Sequence, residues 1–259
     1  MSVSFLLFLF GAGATVGFFS GMLGIGGGIV MFPLLLYVPP LLGLEAIDVK
    51  SITGLTMIQG FFASLTAMLF YRRHRLVHAS LALTLGLSLF FSSFAGAMLS
   101  KRVPDSVLLL VFGSLAFIAS VLMLIPRSYA RDNETHDTVD FNKTAAVIIG
   151  CILGFLIGLV GQGGAFIVIP MLLYVLKIPL RVALGSTLAI GLFSSTAGFA
   201  GKALTGQVPF PMAGPLLLGA IPLALLGGYV GKRTSTQILR WVLALIIFAT
   251  ALKIWLSVL

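Results

Sequence analysis

Two clusters of glycine residues hold the backbone groups of this chain that are best suited to binding a ligand. They comprise Gly24, Gly26, Gly27 and Gly28 in the first half, and Gly161, Gly163 and Gly164 in the second. Glycine lets a ligand approach the backbone closely, and the helix after each cluster presents N–H groups and the positive end of its dipole. The pattern predicts two anion-binding turns. Helix packing through small residues is the alternative, but the repetition of the cluster favours a binding site.

Polar side chains near these clusters are the next candidates for contact with a substrate. Gln162 holds the position that Ile25 has in the first cluster, and its amide offers both donors and an acceptor. The hydroxyl groups that open the following segments belong to Ser51, Thr53, Ser186 and Thr187, and Gln59, Ser194 and Ser195 lie deeper. A single hydroxyl group more often bonds to a carbonyl group of its own helix. The glycines, Gln162 and the four opening hydroxyl groups together form the predicted substrate site.

The ionisable residues exclude several kinds of chemistry. No Asp or Glu lies inside a predicted span, so the intramembrane carboxylate of many proton-coupled carriers is missing. Lys202 is the only cation that could face the interior from the end of a span, although snorkelling to the membrane interface is the favoured interpretation. His74 and His78 have helical spacing but no third ligand, so no metal site is predicted. Cys151 is the only cysteine, and no catalytic arrangement or cofactor motif is present.

The composition is that of a polytopic membrane protein. Of 259 residues, 59% are hydrophobic and 9% are charged, whereas soluble domains have about 25% charged residues. The formal net charge is +9, but Lys and Arg stand in small groups between apolar runs. This favours retention of loops on one side of a membrane over nucleic-acid binding. The runs form eight hydrophobic segments, and the predicted partners are the lipid bilayer and a small anionic substrate.

The chain contains an internal duplication. Residues 17–38 align without gaps on residues 154–175 with 11 identities in 22 positions. We predict a first transmembrane repeat at 1–126, a polar cytoplasmic linker at 127–143 and a second transmembrane repeat at 144–259. The first run of each half is too long for one straight helix; residues 3–38, for example, would make a rod of roughly 54 Å against a hydrocarbon core of ~30 Å. Each repeat should therefore begin with a glycine-broken hairpin or re-entrant segment and continue with three transmembrane helices, about ten helical pieces in all.

The distribution of Lys and Arg predicts that the two repeats are inverted. Eight single crossings would divide these residues 8 to 8 between the two sides, which gives no orientation. If each glycine run returns to its own side, the division is 11 to 5, in agreement with the positive-inside rule. Inversion would bring the two glycine turns towards each other near the midplane. The predicted fold class is an all-α polytopic membrane protein with two inverted repeats and its N-terminus outside.

The sequence around the glycine clusters resembles the TauE/SafE family, also called the 4-toluene sulfonate uptake permease family. The resemblance rests on GMLGIGGGIVMFPLLL at 21–36, GLVGQGGAFIVIPMLL at 158–173 and VALGSTLAI at 182–190, and it extends over essentially the whole chain. It implies a permease of the inner or plasma membrane. It also implies a class of substrate, because members of the family are associated with sulfite, sulfoacetate and other organosulfonate anions. One departure is that the first half has KSITGLT at 50–56 where the second has GSTLAI.

The predicted turns and the resemblance together imply a secondary transporter of a small sulfur-containing anion. A passive anion channel is one alternative. An intramembrane enzyme is another, but the reactive groups that it would need are missing. The chain is not expected to be an enzyme or to need a cofactor. The particular anion, the direction of transport and a homo-oligomeric state are left open.

Labelling with an impermeant thiol reagent tests the predicted orientation. In a protein whose Cys151 is replaced, single cysteines at Ser128 and at His74 should both resist the reagent in intact cells, because both positions are expected in the cytoplasm. Labelling of both from outside would reverse the orientation. Labelling of only one would show that the spans between them are assigned wrongly.

Overall fold

The computed structural model describes residues 1–23, 26–72, 78–124, 141–161 and 166–258. Within these ranges the chain forms ten α-helices and no β-strand. The helices are α1 (Val3–Leu23), α2 (Gly28–Leu41), α3 (Val49–Arg72), α4 (Ala79–Ser100), α5 (Asp105–Leu124), α6 (Lys143–Val160), α7 (Val168–Tyr174), α8 (Leu180–Leu204), α9 (Phe210–Arg233) and α10 (Thr236–Val258). The predicted all-α class and the expected number of helical pieces are confirmed.

Seven of the described helices are long and apolar enough to cross a membrane, namely α1, α4, α5, α6, α8, α9 and α10. Helix α3 has 24 residues, enough to span, but it is less apolar than these seven. Helices α2 and α7 have only 14 and 7 residues, which is too short for a span of about 20 residues. The chain is therefore a multi-pass helical membrane protein in which each half contains one short helix.

Both long hydrophobic runs break at glycine, as predicted. The break separates α1 from α2 in the first half and α6 from α7 in the second. Gly26, Gly27 and Gly161 have φ angles of 65°, 82° and 73°. This left-handed conformation favours glycine over any residue with a Cβ atom. The backbone of the turns itself therefore requires glycine at these positions.

Polar side chains start several helices. Asp48, His78 and Asn142 each accept a hydrogen bond from the N–H group three residues further on, at 2.9, 3.2 and 3.1 Å, and they cap α3, α4 and α6. His78 is thus a helix cap, and His74 lies outside the described residues. Most of the predicted linker at 127–143 also lies outside them, so the boundaries of the two repeats stay a prediction.

Two pairs of helices pack with their backbones in direct contact. The contacts of α1 with α9 join Gly13 to Leu216, Gly17 to Ala220 and Gly21 to Ala224. Those of α6 with α4 join Gly154 to Leu89 and Gly158 to Ser93. Residue numbers rise together in both pairs, so each pair is parallel. Small residues four apart line one face of a helix and let a neighbouring backbone approach, which is the packing found between membrane helices.

The pair formed by α3 and α8 runs antiparallel. Its contacts join Thr53 to Lys202, Met57 to Gly198 and Ser64 to Gly191, so residue numbers rise on one helix as they fall on the other. Residues 52–60 of α3 and 182–191 of α8 are buried without interruption, which means that both helices are enclosed on every side there.

Helices α3 and α8 occupy corresponding positions, because each is the third of five helices in its half. Eight single crossings would make these two helices parallel, whereas inverted halves require them to be antiparallel.

A cluster of aromatic rings anchors the segments that follow the two glycine turns. Phe32 of α2 stacks on Phe112 of α5 with ring centroids 4.4 Å apart, and Phe166, which precedes α7, lies 6.2 Å from the same ring. All three side chains are fully buried. Aromatic pairs at such separations contribute beyond the area that they bury. One residue of α5 thereby holds both broken segments in place.

Replacing Gly17 by alanine should destabilise the protein, because the added methyl group would lie 2.7 Å from the Cα atom of Ala220. Overpacking of this kind typically costs about 1–3 kcal/mol. Gly11→Ala is the matched control, since a Cβ atom at Gly11 of the same helix meets nothing within 4 Å. Thermal unfolding of the purified protein in detergent measures both. Equal unfolding temperatures for the two variants would contradict the contact between α1 and α9.

Candidate functional site

The two glycine turns meet the same stretch of α3. A Cβ atom at Gly27 would lie 2.9 Å from both amide atoms of Gln59, and one at Gly161 would lie 2.6 Å from the Cα atom of Thr53. The carbonyl group of Gly161 also accepts a hydrogen bond from the hydroxyl group of Thr56. The stretch Thr53–Gln59, which we call the α3 segment, rises about 9 Å along the helix axis. Both turns thus approach one short polar segment of a buried helix.

The first turn leads directly into α2. The carbonyl group of Gly27 accepts hydrogen bonds from two N–H groups in the first turn of α2, at 3.1 and 2.9 Å. The positive end of the α2 dipole therefore lies at this turn. Of the site residues predicted in this cluster, Gly26, Gly27 and Gly28 form the turn and the start of the helix, and Gly24 lies outside the described residues.

The amide group of Gln59 is buried at the first turn without a hydrogen-bond partner. Its side chain has no exposed surface, and neither Oε1 nor Nε2 bonds to any group within the described ranges. The hydroxyl groups of Ser20 on α1, Ser64 on α3 and Ser194 on α8 are also buried and unpaired within those ranges. Buried polar groups without partners are rare in proteins. Four of them on three neighbouring helices make this region a candidate for ligand binding.

The second turn begins with Gly161, which ends α6. Its N–H group donates to the carbonyl group of Ile157 at 2.9 Å, and its left-handed φ directs the chain away from the helix. The other predicted residues of this cluster, Gln162, Gly163 and Gly164, lie outside the described residues. Gly161 is therefore the predicted residue that places the second turn against the α3 segment.

A buried lysine lies beside the second turn. The Nζ atom of Lys202 lies 2.9 Å from Oγ1 of Thr53, 2.7 Å from Oγ of Ser100, 3.3 Å from the carbonyl oxygen of Leu159 and 3.2 Å from Oε1 of Gln207. We call these five residues the Lys202 cluster. All four partners are neutral oxygens, and none of the described carboxylates forms an ion pair with Lys202. The cluster therefore buries a basic amino group that the described residues surround with neutral oxygens and no acid.

The position of Lys202 corrects the expectation that its side chain snorkels to the membrane interface. Its exposed fraction is 0%, whereas snorkelling would leave the ammonium group in water. The antiparallel pairing of α8 with α3 is the reason, because it sets the end of α8 opposite the start of α3. Oxygen acceptors from α3, α4, α6 and the segment before α9 then surround the ammonium group.

The other predicted hydroxyl residues make different contacts. Ser51 lies in the first turn of α3, where its N–H group donates to the capping aspartate. The Oγ atom of Ser186 accepts a hydrogen bond from the N–H group of His78 at 3.0 Å, and Thr187 donates to carbonyl groups of its own helix at 2.7 and 3.0 Å. Of the four hydroxyl residues predicted from the sequence, Thr53 is the one that the described contacts join to the second turn and to Lys202.

Sequence reasoning did not predict Ser100, Gln207, Ser20 or Ser64 as members of the site. Each is a single polar residue at the end of an apolar run or inside one, which gives no periodic signal. Lys202 was the available signal, because a cation between apolar runs with no acid nearby needs oxygen partners if it is buried. The identity of those partners depends on which helices meet, and the sequence pattern does not specify this.

Comparison with known proteins identifies the family. The family model described as Sulfite exporter TauE/SafE matches residues 9–254. The chain belongs to the TauE/SafE family. The match includes both glycine turns, the α3 segment and Lys202, and it confirms the resemblance that the doubled glycine motif indicated. No solved structure matches the chain.

Relatives of this TauE/SafE chain are named as transporters. A probable membrane transporter protein of Xylella fastidiosa (strain 9a5c) is 32% identical over 275 residues, which cover 99% of this chain and 98% of the relative. The probable membrane transporter protein MJ0441 of Methanocaldococcus jannaschii is 27% identical, with 91% and 90% covered. The probable membrane transporter protein YunE of Bacillus subtilis is 24% identical, with 90% and 93% covered. The TauE/SafE chain is thus a membrane transporter by family.

Gly161→Ala should destabilise the protein more than Gly206→Ala. Both glycines have a φ angle of 73°, so alanine in this conformation costs about 1–2 kcal/mol at either position. A Cβ atom at Gly206 meets nothing within 4 Å, whereas one at Gly161 would press on Thr53 and add an overpacking cost of about 1–3 kcal/mol. Thermal unfolding in detergent measures the difference. An equal loss of stability in the two variants would show that the second turn does not rest on α3.

Proposed function

We propose that this protein is a secondary transporter that moves a small sulfur-containing oxyanion across the cell membrane. Sulfite and organosulfonates such as sulfoacetate are the proposed substrates. The anion is held beside the α3 segment, between the turns at Gly26–Gly28 and Gly161–Gly164, with Thr53 and Lys202 next to it. The buried amino group of Lys202, which has no acidic partner among the described residues, is the observation that carries the proposal. The description of the matched family, which names a sulfite exporter, supports the substrate class.

A buried amino group with no acidic partner among the described residues favours an anionic substrate over a neutral or cationic one. Moving an ammonium group out of water costs several kcal/mol, and neutral oxygens compensate for this only in part. Attraction between opposite charges is stronger in a weakly polar interior than in water. An anion within reach of Lys202 would therefore be bound, and a cation would be repelled. The positive end of the α2 dipole acts in the same direction.

The partners of Lys202 support reversible binding. Thr53 and Ser100 each donate a hydrogen bond to a backbone carbonyl group at 2.6 Å, in addition to accepting one from Lys202. These oxygens therefore keep a partner when the ammonium group turns to a substrate. Without substrate, they supply the acceptors that the ammonium group needs. A carrier requires this balance because it must be stable both with and without its cargo.

Inverted repeats provide a route for alternating access. We propose that the halves 1–126 and 144–259 are inverted relative to each other, with the N-terminus outside. The antiparallel direction of α3 and α8, which are corresponding helices, supports this arrangement. In transporters built from inverted repeats, the substrate lies near the midplane between the repeats, and one repeat moves against the other. The buried pairing of α3 with α8 is where such a site would lie.

A passive anion channel is the alternative, and the kinetics of transport separate the two. A carrier binds its substrate in each cycle, so flux into proteoliposomes should saturate and internal unlabelled substrate should stimulate uptake of labelled substrate. A channel would show neither. Flux that rises linearly with concentration and lacks counterflow would refute the carrier.

Lys202→Met should weaken the binding of sulfite and organosulfonates. Methionine keeps the apolar length of the side chain but cannot donate to an anion. A lost hydrogen bond to a charged group typically costs about 1.5–3 kcal/mol, or roughly a ten- to hundred-fold fall in affinity. Binding is measured by the thermal shift that sulfite, sulfoacetate, taurine and sulfate each cause in the purified protein, since a ligand of the folded state raises its stability.

Two further variants complete this test. Lys101→Met removes an exposed charge close to the cluster and should leave binding unchanged. Lys202→Arg retains the charge and should retain more affinity than Lys202→Met. A folded Lys202→Met protein that binds these anions as tightly as the parent would refute the role of the cluster. A parent protein that binds none of them would refute the substrate class.

A further inference from the structure

We infer that the Gln59 amide is a specificity-determining group of the substrate site, and that it selects oxyanions that carry a hydrogen-bond donor in addition to their acceptor oxygens. The inference rests on the proposed function, because it names a second contact of the same anion. Lys202 would hold the charge of the substrate, and Gln59 would distinguish between anions of equal charge. Lys202 of α8 lies beside Thr53, at one end of the α3 segment, and Gln59 is the residue at the other end.

Burial without a partner is the first observation that supports this role. The Gln59 side chain is fully enclosed, and its Oε1 and Nε2 atoms both lack a hydrogen bond within the described ranges. An unsatisfied polar group in a protein interior destabilises the folded state. A methionine or leucine would fill the same volume without this cost. Such groups concentrate where function rather than stability determines the residue.

The backbone of the first turn is the second observation. Val16 and Gln59 pack directly on Gly27, where a Cβ atom would lie within 2.9 Å of each. Glycine in the left-handed conformation therefore lets the amide reach the backbone of the turn. The amide lies beside the N-terminus of α2, where an anion is favoured.

Three further unpaired hydroxyl groups lie around the same region. The antiparallel register of α3 and α8 joins Ser64 to Gly191 and Met57 to Gly198, so Ser194 lies within one helical turn of the level of Gln59. Ser20 lies one turn after Val16 on α1, and Val16 contacts the glycine turn. Their hydroxyl groups, like the amide, are buried without partners within the described ranges. The unpaired groups thus come from α1, α3 and α8.

The chemistry of an amide defines the class of ligand. Nε2 donates and therefore suits an oxygen of the anion, whereas Oε1 only accepts and needs an O–H or N–H group. An anion that offers acceptors alone would satisfy half of the amide and leave Oε1 buried and unpaired. Sites built to bond a hydroxyl group discriminate strongly against analogues that lack it, because a buried partner is then left unsatisfied. Hydroxy- and amino-sulfonates belong to the preferred class.

A matched pair of ligands tests the inference. Isethionate and ethanesulfonate carry the same sulfonate group and differ in one hydroxyl group. The parent protein should bind isethionate at least about ten-fold more tightly, as measured by titration calorimetry on the detergent-purified protein. Gln59→Met should reduce this preference to less than about two-fold by weakening isethionate binding. Gln59→Leu is a second apolar variant, and Gln237→Met makes the same change at an exposed position of α10 and should keep the preference.

The unfolding temperature of the ligand-free variant distinguishes a binding role of Gln59 from a structural one, because the two roles predict opposite changes. Gln59→Met removes an unpaired amide, so the ligand-free variant should unfold at the same temperature as the parent or at a higher one. Gln207→Met is the contrasting variant, because the Gln207 amide bonds to Lys202, Ser100 and Thr205. It should unfold at a lower temperature. A Gln59→Met protein that unfolds well below the parent would assign Gln59 to the packing of the core.

The outcomes separate this inference from the proposed function. A parent protein without preference for isethionate, or a Gln59→Met protein that keeps the full preference, would overturn the role of Gln59. Unchanged preference in the variant would mean that the amide bonds only to water. In either case a loss of binding in Lys202→Met would leave the proposed function intact. If the parent binds neither sulfonate nor sulfite, the proposed function and this inference both fall.

Discussion

Backbone contact at glycine is the constraint on which the rest of the structure depends. Lipid provides no hydrophobic drive for helices to associate, so close packing must hold them together. Gly13, Gly17 and Gly21 of α1 face α9, and Gly154 and Gly158 of α6 face α4. A Cβ atom at any of these five positions would collide with the backbone of the neighbouring helix. The same lack of a Cβ atom allows the left-handed turns at Gly27 and Gly161. One residue type thereby sets both the packing and the broken helices.

This packing encloses α3 and α8, and enclosure sets the conditions for every polar group on them. In a membrane protein such groups must find partners within the protein, within a water-filled cavity or on a ligand. Lys202 meets this condition with four oxygens from the protein. Gln59, about 9 Å further along α3 from Thr53, does not meet it within the described ranges. One end of the α3 segment therefore lies beside a lysine that has hydrogen-bond partners, and the other end carries an amide that has none within the described ranges.

In the proposed site, the two ends of this segment would divide the recognition of an anion between charge and hydrogen bonding. A charge attracts any anion from a distance but distinguishes poorly between anions of the same charge. An amide contributes little attraction, but its fixed donor and acceptor depend on the groups that the ligand presents. The glycine turns let a ligand approach both through the backbone. Because no acidic residue lies inside the predicted spans, the Lys202 amino group would be available to an anionic substrate in this proposal.

Composition, glycine clusters and the internal repeat were sufficient to predict the membrane class, the broken helices and the family, because these depend on local pattern. The sequence also indicated Thr53, and it included Gln59 and Lys202 among its secondary candidates. It misplaced Lys202 at the interface, because the residues that surround Lys202 are distant in the chain: Thr53 is 149 positions away. The inverted repeats predicted from the charges already imply that α3 and α8 run antiparallel. Only the tertiary structure decided that these two helices pack against each other, and with it which polar groups meet. A hydrophobic pattern shows that a helix is buried but not which neighbour covers each face, since apolar faces fit many partners and glycine contacts select among them through shape.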